Sequence, residues 1–202
     1  MSTAVRASKG EATRAQILAA AVEQASAAGF ESLTIGTLAG QTGMSKSGLF
    51  AHFGSKLELQ VAALDEAARQ FTESVFLPAL KAPRGVKRLR ALFENWIAWP
   101  LHAKLPGGCP LDAASREFQH RPGPMRDAVV ERQRMLEREL RRMVELAVET
   151  GELRKDTDAL HFVFEFFGII LVFYRAEMIH GRDEARRHAH LALDRLIRHH
   201  AA

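Results

Sequence analysis

The sequence contains one cysteine, so it cannot form a disulfide bond within the chain, and its composition fits a reducing compartment. That residue, Cys109, follows two glycines, and two interpretations stay open: an unreactive lone thiol, or a redox switch activated by the amides of a glycine turn. Residues 1–16 lack the apolar segment of a signal peptide. The most apolar run, 166–174, is too short to span a bilayer. We therefore expect a soluble cytoplasmic protein with no membrane partner.

Signatures of catalysis are also missing. The sequence shows no nucleophile–base pair, no phosphate-binding glycine loop and no dinucleotide-binding fingerprint. His161 and Glu165 stand four residues apart, a spacing that seats a metal ion on one helix face, and further ligands would come from other histidines: His102, His180, His188 and His190. No second metal-binding motif supports such a site. We expect no enzymatic activity, no cofactor and no bound metal.

The excess of basic residues is small. A net charge of +4 and an isoelectric point near 9.6 permit a nucleic-acid partner, but the basic residues are spread along the chain. No segment alternates as a half-buried strand does, and nearly every segment has the helical period. The pattern predicts an all-α protein of about nine helices, at residues 11–28, 35–41, 45–53, 55–77, 84–99, 112–119, 125–149, 157–180 and 183–199.

The segment TGMSKSGLFAHF, residues 42–53, mixes polar, aromatic and glycine residues in an unusual way. Gly43 breaks the chain after one short helix, and Ser45 is a suitable N-cap for a second one. Leu49 and Phe53, four residues apart, are expected to face the core, while the polar side chains face outward. Two short helices joined by a glycine turn match the helix-turn-helix plan, in which the second helix enters the major groove of DNA.

The longer stretch LTIGTLAGQTGMSKSGLFAHFGSKLEL, residues 33–59, resembles the TetR-type (TetR/AcrR) bacterial transcriptional regulators. The similarity rests on a threonine and a Leu-Ala pair, a turn into the recognition helix, an aromatic residue, a His-Phe pair and a lysine that opens the fourth helix: Thr34, Leu38, Ala39, Gly43, Met44, Ser45, Lys46, Phe50, His52, Phe53 and Lys56. The resemblance implies a dimeric repressor that binds a palindromic double-stranded DNA operator and is released by a small apolar or amphipathic effector.

The same resemblance assigns the DNA contacts. Bases would be read by Lys46 and Ser47, and phosphates would be held by Thr34, Thr37, Ser45, His52 and Lys56. Two positions depart from the family pattern. Phe50 stands where a tyrosine is usual, so it can pack on sugars and base methyl groups but cannot donate a hydrogen bond. The pair Ser47-Gly48 reverses the commoner order, which leaves the base contact at this position open.

Residues 1–10 are expected to form a flexible N-terminal arm. The resemblance implies a helix-turn-helix DNA-binding domain (11–56) and a helical ligand-binding and dimerisation domain (57–202). Residues 160–174 are apolar on every face of a helix, which predicts a helix that is buried all round. In the family the last two helices pair with those of a second copy, and the residues expected there are Phe164, Gly168, Leu171, Leu193, Leu196 and Ile197.

An effector pocket is expected among aromatic side chains of the C-terminal domain, although plain core packing would produce the same helical spacing. The candidates are Phe93, Trp96, Trp99, Phe118, Phe162 and Phe166. Glu165 interrupts the apolar run, which suggests a buried carboxylate that meets a cationic ligand or pairs with Arg175 or a histidine. The alternative function is that of a helical protein that binds small molecules and does not use its N-terminal helices on specific DNA.

Overall fold

The computed structural model describes residues 9–202, in which the regular elements are helices and a single isolated β-bridge pairs Leu153 with Ala201. The helices are Lys9–Ala28 (α1), Ile35–Thr42 (α2), Lys46–Phe53 (α3), Lys56–Phe71 (α4), Val86–His102 (α5), Pro110–Phe118 (α6), Pro124–Glu149 (α7), Ala159–His180 (α8) and Arg182–His200 (α9). A 3₁₀ turn, Phe30–Ser32, precedes α2, and helical backbone follows α4 as a π-helical turn, Thr72–Phe76, and a last turn, Leu77–Leu80. The predicted all-α fold is confirmed.

The ends of the helices differ from the prediction by a few residues. Residues 1–10 were predicted to form a flexible arm. Residues 1–8 lie outside the described part of the chain, and residues 9 and 10 belong to α1. Helix α1 ends at Ala28 as predicted, and the chain turns at Gly29, whose φ is 82°. Thr34 and Ser45 cap α2 and α3 through their hydroxyls, which confirms both predicted helix starts.

Helix α5 continues past Pro100 to His102, beyond the predicted end of this helix at residue 99. Proline has no N–H, so the carbonyl of Trp96, four residues earlier, loses its partner within the helix. The phenol of Tyr174 in α8 donates a hydrogen bond to that carbonyl oxygen at 3.1 Å. The next carbonyl, that of Ile97, accepts a bond from the Arg182 guanidinium at 2.9 Å. The Tyr174 phenol therefore replaces the backbone bond that the proline removes.

The chain forms two compact units, which do not coincide with simple halves of the sequence. The first unit contains residues up to Arg69 together with Lys104–Val130, and the second contains Gln70–Ala103 together with Glu131–Ala202. The first unit therefore combines α1–α3, nearly all of α4, and α6. Helical periodicity had not indicated that residues 104–130 belong with the N-terminal helices. The domain boundary at residues 56 and 57 stays a prediction.

The second unit has an apolar core built on α5, α8 and α9, and in the single chain α8 is buried on one side only. Phe162, Phe166 and Phe173 are buried, whereas Phe164 and Val172 are 74% and 63% exposed. The reason is that α8 packs against α9 and α5 on one side only, so its other face stays open in the single chain. Within residues 9–202 no helix combines the length and the hydropathy needed to cross a bilayer.

Candidate nucleic-acid interface

The start of α2 is held by two threonines that cap each other. The Thr34 hydroxyl accepts a hydrogen bond from the Thr37 N–H at 3.0 Å, and the Thr37 hydroxyl accepts one from the Thr34 N–H at 3.1 Å. This is a capping box, which satisfies two amides that the first turn of a helix leaves without partners. Both side chains remain at least partly exposed, so the predicted phosphate contacts are sterically open.

Helix α3 begins after a turn with Gly43 in the left-handed conformation (φ 66°). The Ser45 hydroxyl accepts a hydrogen bond from the Gly48 N–H at 3.1 Å, and it lies 3.1 Å from the Ser47 hydroxyl. Lys46 between them is exposed. No acidic residue occurs in α2 or α3, so the charge of Lys46 is not compensated from within either helix. The N-terminus of α3 thus presents a cation and two hydroxyls to solvent.

The opposite face of α3 packs into the first unit. Leu49 is fully buried and Phe53 is 2% exposed, which confirms the core face predicted from their spacing. Phe50, in contrast, is 52% exposed on the polar side. His52 is half-buried in the last turn, next to the Phe53 ring. The guanidinium of Arg14 in α1 lies 5.2 Å from the centroid of the Phe53 ring, and this cation–π contact links α1 to α3.

Lys56, the predicted phosphate ligand at the start of α4, forms an ion pair that the sequence did not reveal. Its ammonium lies 3.0 Å from the Glu31 carboxylate. Ser55 caps the helix by accepting a hydrogen bond from the Glu58 N–H at 3.1 Å. Hydrogen bonding by Lys56 lowers the pKa of Glu31 below its ordinary value, so this carboxylate is charged at neutral pH.

Glu117 of α6 is a second residue that sequence reasoning missed. Its carboxylate accepts hydrogen bonds from the N–H groups of Phe30 and Glu31 at 2.7 and 2.8 Å. Gly29 before them has φ 82°, and a Cβ at this position would lie 2.9 Å from the Glu117 carboxylate. Glu117 therefore holds the turn that leads into α2, and no local pattern signals a contact between residues so far apart in the chain.

The predicted effector residues fall into both units. Phe118 is buried in the first unit, and the other five aromatic candidates are almost fully buried in the second: Phe93, Trp96, Trp99, Phe162 and Phe166. The Phe71 ring contacts both indoles, with centroid distances of 4.8 Å to Trp96 and 5.3 Å to Trp99. The indole N–H groups of both tryptophans are buried and have no hydrogen-bond partner. Whether these residues line a pocket stays a prediction.

Glu165 is not buried, contrary to the prediction. Its side chain is 44% exposed, because it lies on the open side of α8. The two nearest bases are histidines, with 3.9 Å from its carboxylate to Nε2 of His161 and 3.8 Å to Nε2 of His200. In the described part of the chain no three His, Cys, Asp or Glu side chains are grouped closely enough to hold a metal ion.

The residues predicted for the dimer interface are not all accessible. Phe164, Gly168 and Leu171 are exposed on α8, whereas Leu193 and Ile197 of α9 are buried within the chain. Leu196 is largely buried too, but with Gly168 it lines a groove of about 630 Å³ between α8 and α9. The accessible part of the predicted interface is therefore the α8 face and this groove.

The burial of Cys109 favours the interpretation as an unreactive thiol over that as a redox switch. This residue lies at the start of α6, where it is 5% exposed. Burial raises the pKa of the thiol to about 12, an effect larger than that of the nearby backbone amides. The reactive thiolate is therefore scarce at neutral pH.

An all-helical chain with an exposed second helix after a glycine turn belongs to the class of helix-turn-helix proteins. Residues 17–63 match the family model "Bacterial regulatory proteins, tetR family", and residues 85–193 match the model "Tetracyclin repressor-like, C-terminal domain". The chain therefore belongs to the TetR family of transcriptional regulators. Its members are DNA-binding regulators without enzymatic activity.

Solved structures with a similar fold span nearly the whole chain. A TetR transcriptional regulator from Chloroflexus aurantiacus is 23% identical, with a TM-score of 0.85 and coverage of 96% of this chain and 98% of that one. A TetR-family regulator from Cytophaga hutchinsonii is 17% identical (TM-score 0.81; coverage 98% and 99%). AibR, solved with isovaleryl coenzyme A and operator DNA, is 23% identical (TM-score 0.65; coverage 81% and 86%). No curated protein is significantly similar to the chain.

Proposed function

We propose that the protein is a cytoplasmic, ligand-responsive transcriptional repressor that binds a palindromic operator as a homodimer. The observation that carries this proposal is the exposed N-terminus of α3. There Lys46 and two serine hydroxyls face solvent, while the buried side chains of Leu49 and Phe53 pack the opposite face of the helix into the core of the first unit. A rigidly packed helix with donors at its exposed end is what major-groove recognition requires.

In the proposed complex the residues of α3 divide into two roles. Lys46 and Ser47 read base edges, and Phe50 packs on sugars and base methyl groups. Phosphates bind to the hydroxyls at the two helix starts, to the half-buried imidazole and to the lysine of α4, that is to Thr34, Thr37, Ser45, His52 and Lys56. Phosphate contacts set register and affinity, whereas only the base contacts discriminate between sequences.

A second copy of the chain would cover the open face of α8. Phe164 and Leu171 leave an exposed apolar surface that an isolated protein would not maintain. Two-fold pairing through this face makes two copies of α3 available to one DNA duplex. In dimeric helix-turn-helix proteins the recognition helices lie about 34–36 Å apart, one turn of DNA, which explains the preference for palindromic operators.

The effector would bind in the aromatic part of the second unit. Two buried indole N–H groups without partners favour a ligand that carries a hydrogen-bond acceptor next to its apolar part. AibR, which was solved with both an acyl-coenzyme A and operator DNA, has this fold, and it supports an amphipathic effector here. Release needs a different affinity for the two states of the protein, and a hundredfold preference corresponds to about 2.7 kcal/mol.

The first experiment incubates the purified protein with fragmented DNA from its own source, at near-physiological salt, and sequences the fragments that are retained. We expect enrichment of a few fragments that share a palindrome. Lys46→Ala should abolish this enrichment because it removes a base contact. Lys81→Ala is the matched control, since it removes the same charge from an exposed site in the second unit.

Wild-type protein that retains DNA without enriching any sequence, or retains none, would contradict the proposal. That result would favour the alternative of a small-molecule-binding protein that does not use α3 on specific DNA. An equal loss in both lysine variants would also contradict it, because overall charge would then explain the binding. Genes next to the enriched fragments would supply candidate effectors, to be tested by their release of the protein from the palindrome.

A further inference from the structure

Lys56, the lysine proposed to bind a DNA phosphate, already forms an ion pair with a carboxylate of the protein itself. Its ammonium lies 3.0 Å from the Glu31 carboxylate, and the two side chains are 44% and 46% exposed. A phosphate can therefore reach Lys56 from solvent, but it meets a lysine whose charge is balanced by a neighbour. The pair lies at the N-terminus of α4, where the helix dipole also attracts anions.

The position of Glu31 is imposed by three parts of the first unit. Its N–H and that of Phe30 donate to the Glu117 carboxylate of α6. Gln60 of α4, which is 4% exposed, donates to the Phe30 carbonyl at 2.9 Å and to Oε1 of Glu31 at 3.3 Å. Phe30 itself is fully buried. Gln60 binds one carboxylate oxygen and leaves the other, Oε2, to Lys56. The Glu31 carboxylate is thus held by a buried glutamine as well as by Lys56.

We propose that Glu31 is an internal substitute for a DNA phosphate: it binds Lys56 in the DNA-free protein and gives it up, in whole or in part, when DNA binds. This inference rests on the proposed DNA-binding function. A carboxylate and a phosphate that approach the same ammonium repel each other, so part of the attraction between Lys56 and DNA is cancelled. Because phosphate contacts carry no base information, Glu31 lowers the affinity for every DNA sequence. It thereby sets the electrostatic strength of the DNA-binding surface without changing its sequence preference.

The test uses the full-length protein and a fluorescein-labelled DNA duplex of arbitrary sequence, with binding followed by anisotropy over a series of salt concentrations. Glu31→Gln keeps the size of the side chain and an acceptor for Gln60, but it removes the negative charge. We expect this variant to bind roughly three- to tenfold more tightly. The slope of log affinity against log salt should steepen by about one unit, since one more lysine becomes free to neutralise a phosphate.

Two further variants separate this effect from a general one. Glu23→Gln removes the same charge from an exposed position on α1 and should leave both affinity and salt slope nearly unchanged. In a Lys56→Gln background, Glu31→Gln should no longer tighten binding, because the lysine that it releases is absent. A purely structural role of Glu31 would instead lower thermal stability and act regardless of Lys56.

Unchanged or weaker binding by Glu31→Gln would overturn the inference, as would tightening that persists without Lys56. The inference and the proposed function can fail separately. If the wild type enriches a palindrome and Glu31→Gln binds DNA as the wild type does, only the role of Glu31 is refuted. A third outcome is that Glu31→Gln binds the arbitrary duplex more tightly while the wild type enriches no palindrome. That outcome supports the ion-pair exchange and refutes the sequence-specific function. Absence of any DNA binding overturns both.

Discussion

At the scale of single residues, the turn before α2 depends on a glycine and on a carboxylate from α6. Two independent constraints meet at Gly29. Its backbone, at φ 82° and ψ 163°, lies in a region that is essentially restricted to glycine. The Glu117 carboxylate, which caps the next two amides, fills the space that a side chain would need. The turn into α2 is therefore shaped jointly by a glycine and by a distant carboxylate.

Gly29→Ala should destabilise the protein by about 2 kcal/mol or more, because the new Cβ is strained and also displaces Glu117. Gly40→Ala is the control. Gly40 lies inside α2 with nothing near its potential Cβ, so alanine there should stabilise the helix by about 0.5–1 kcal/mol. Urea denaturation followed by circular dichroism measures both free energies of unfolding. Equal effects of the two substitutions would show that the contact with Glu117 and the backbone conformation are unimportant.

The thiol of Cys109 should react very slowly in the native protein. With a pKa of about 12 in the fold, against about 8.5 in an unfolded chain, the thiolate is scarce at pH 8 and the sulfur is buried. A chromogenic disulfide reagent should therefore label native protein far more slowly than protein in urea, with Cys109→Ala as the blank. The sign for stability follows from the raised pKa: stability falls as pH rises above about 8.5, because only the unfolded state releases the proton there. Rapid labelling of native protein would contradict this assignment.

At the scale of elements, α5 shows how a helix survives an internal proline. Pro100 removes the backbone bond to the Trp96 carbonyl, and the Tyr174 phenol of α8 takes its place. The chain contains only this one tyrosine, so the replacement comes from a single side chain. The contact also ties α5 to α8 within the second unit.

Tyr174→Phe should destabilise the protein by about 1–2 kcal/mol, since it leaves a buried carbonyl without its partner. Pro100→Ala restores an N–H four residues after Trp96, so the cost of Tyr174→Phe should be smaller in that background. Thermal or urea unfolding of the two single variants and the double variant measures the coupling. Additive effects would mean that the phenol does not replace the missing backbone bond.

At the scale of the whole molecule, the open face of α8 defines how copies of the chain would associate. Four of its six exposed large apolar residues follow spacings of four, seven and seven, which places them on one stripe of the helix, and the other two are adjacent in sequence to members of this stripe: Leu160, Phe164, Leu171 and Met178, with Val172 and Ile179 beside them. Beside this stripe lies the groove between α8 and α9, lined by small and apolar residues as well as Glu165, His188, Arg195 and His199. A continuous surface of this kind suits a two-fold contact between identical helices.

Phe164→Asp should convert the proposed dimer to a monomer, because it places a charge in the middle of the stripe. Leu101→Asp makes the same type of change at an exposed leucine in α5, and it should leave the association state unchanged. Sedimentation velocity over a range of concentrations measures the association state, and circular dichroism checks that both variants remain folded. A monomeric wild type, or a Phe164→Asp variant that still forms dimers, would contradict the proposal.

Much of the first unit could be predicted from the sequence because its signals are local. Gly43, Ser45, Leu49 and Phe53 lie within eleven residues of one another, and a cap, a turn and a four-residue spacing depend only on close neighbours. The number of helices and the family membership rest on the same kind of signal. Helix ends were less accurate where a partner from another helix intervened, as Tyr174 does at Pro100.

By itself, the sequence determined the all-α fold, the helix-turn-helix and the TetR family, because periodicity, caps and a short motif are properties of neighbouring residues. The tertiary structure alone decided that Glu117 holds the turn before α2 and that Glu31 occupies Lys56. It also decided that Glu165 and Phe164 are exposed and that Cys109 is buried. Charge pairing and burial depend on what folding brings next to a residue from a distant part of the chain, and no local pattern contains that information.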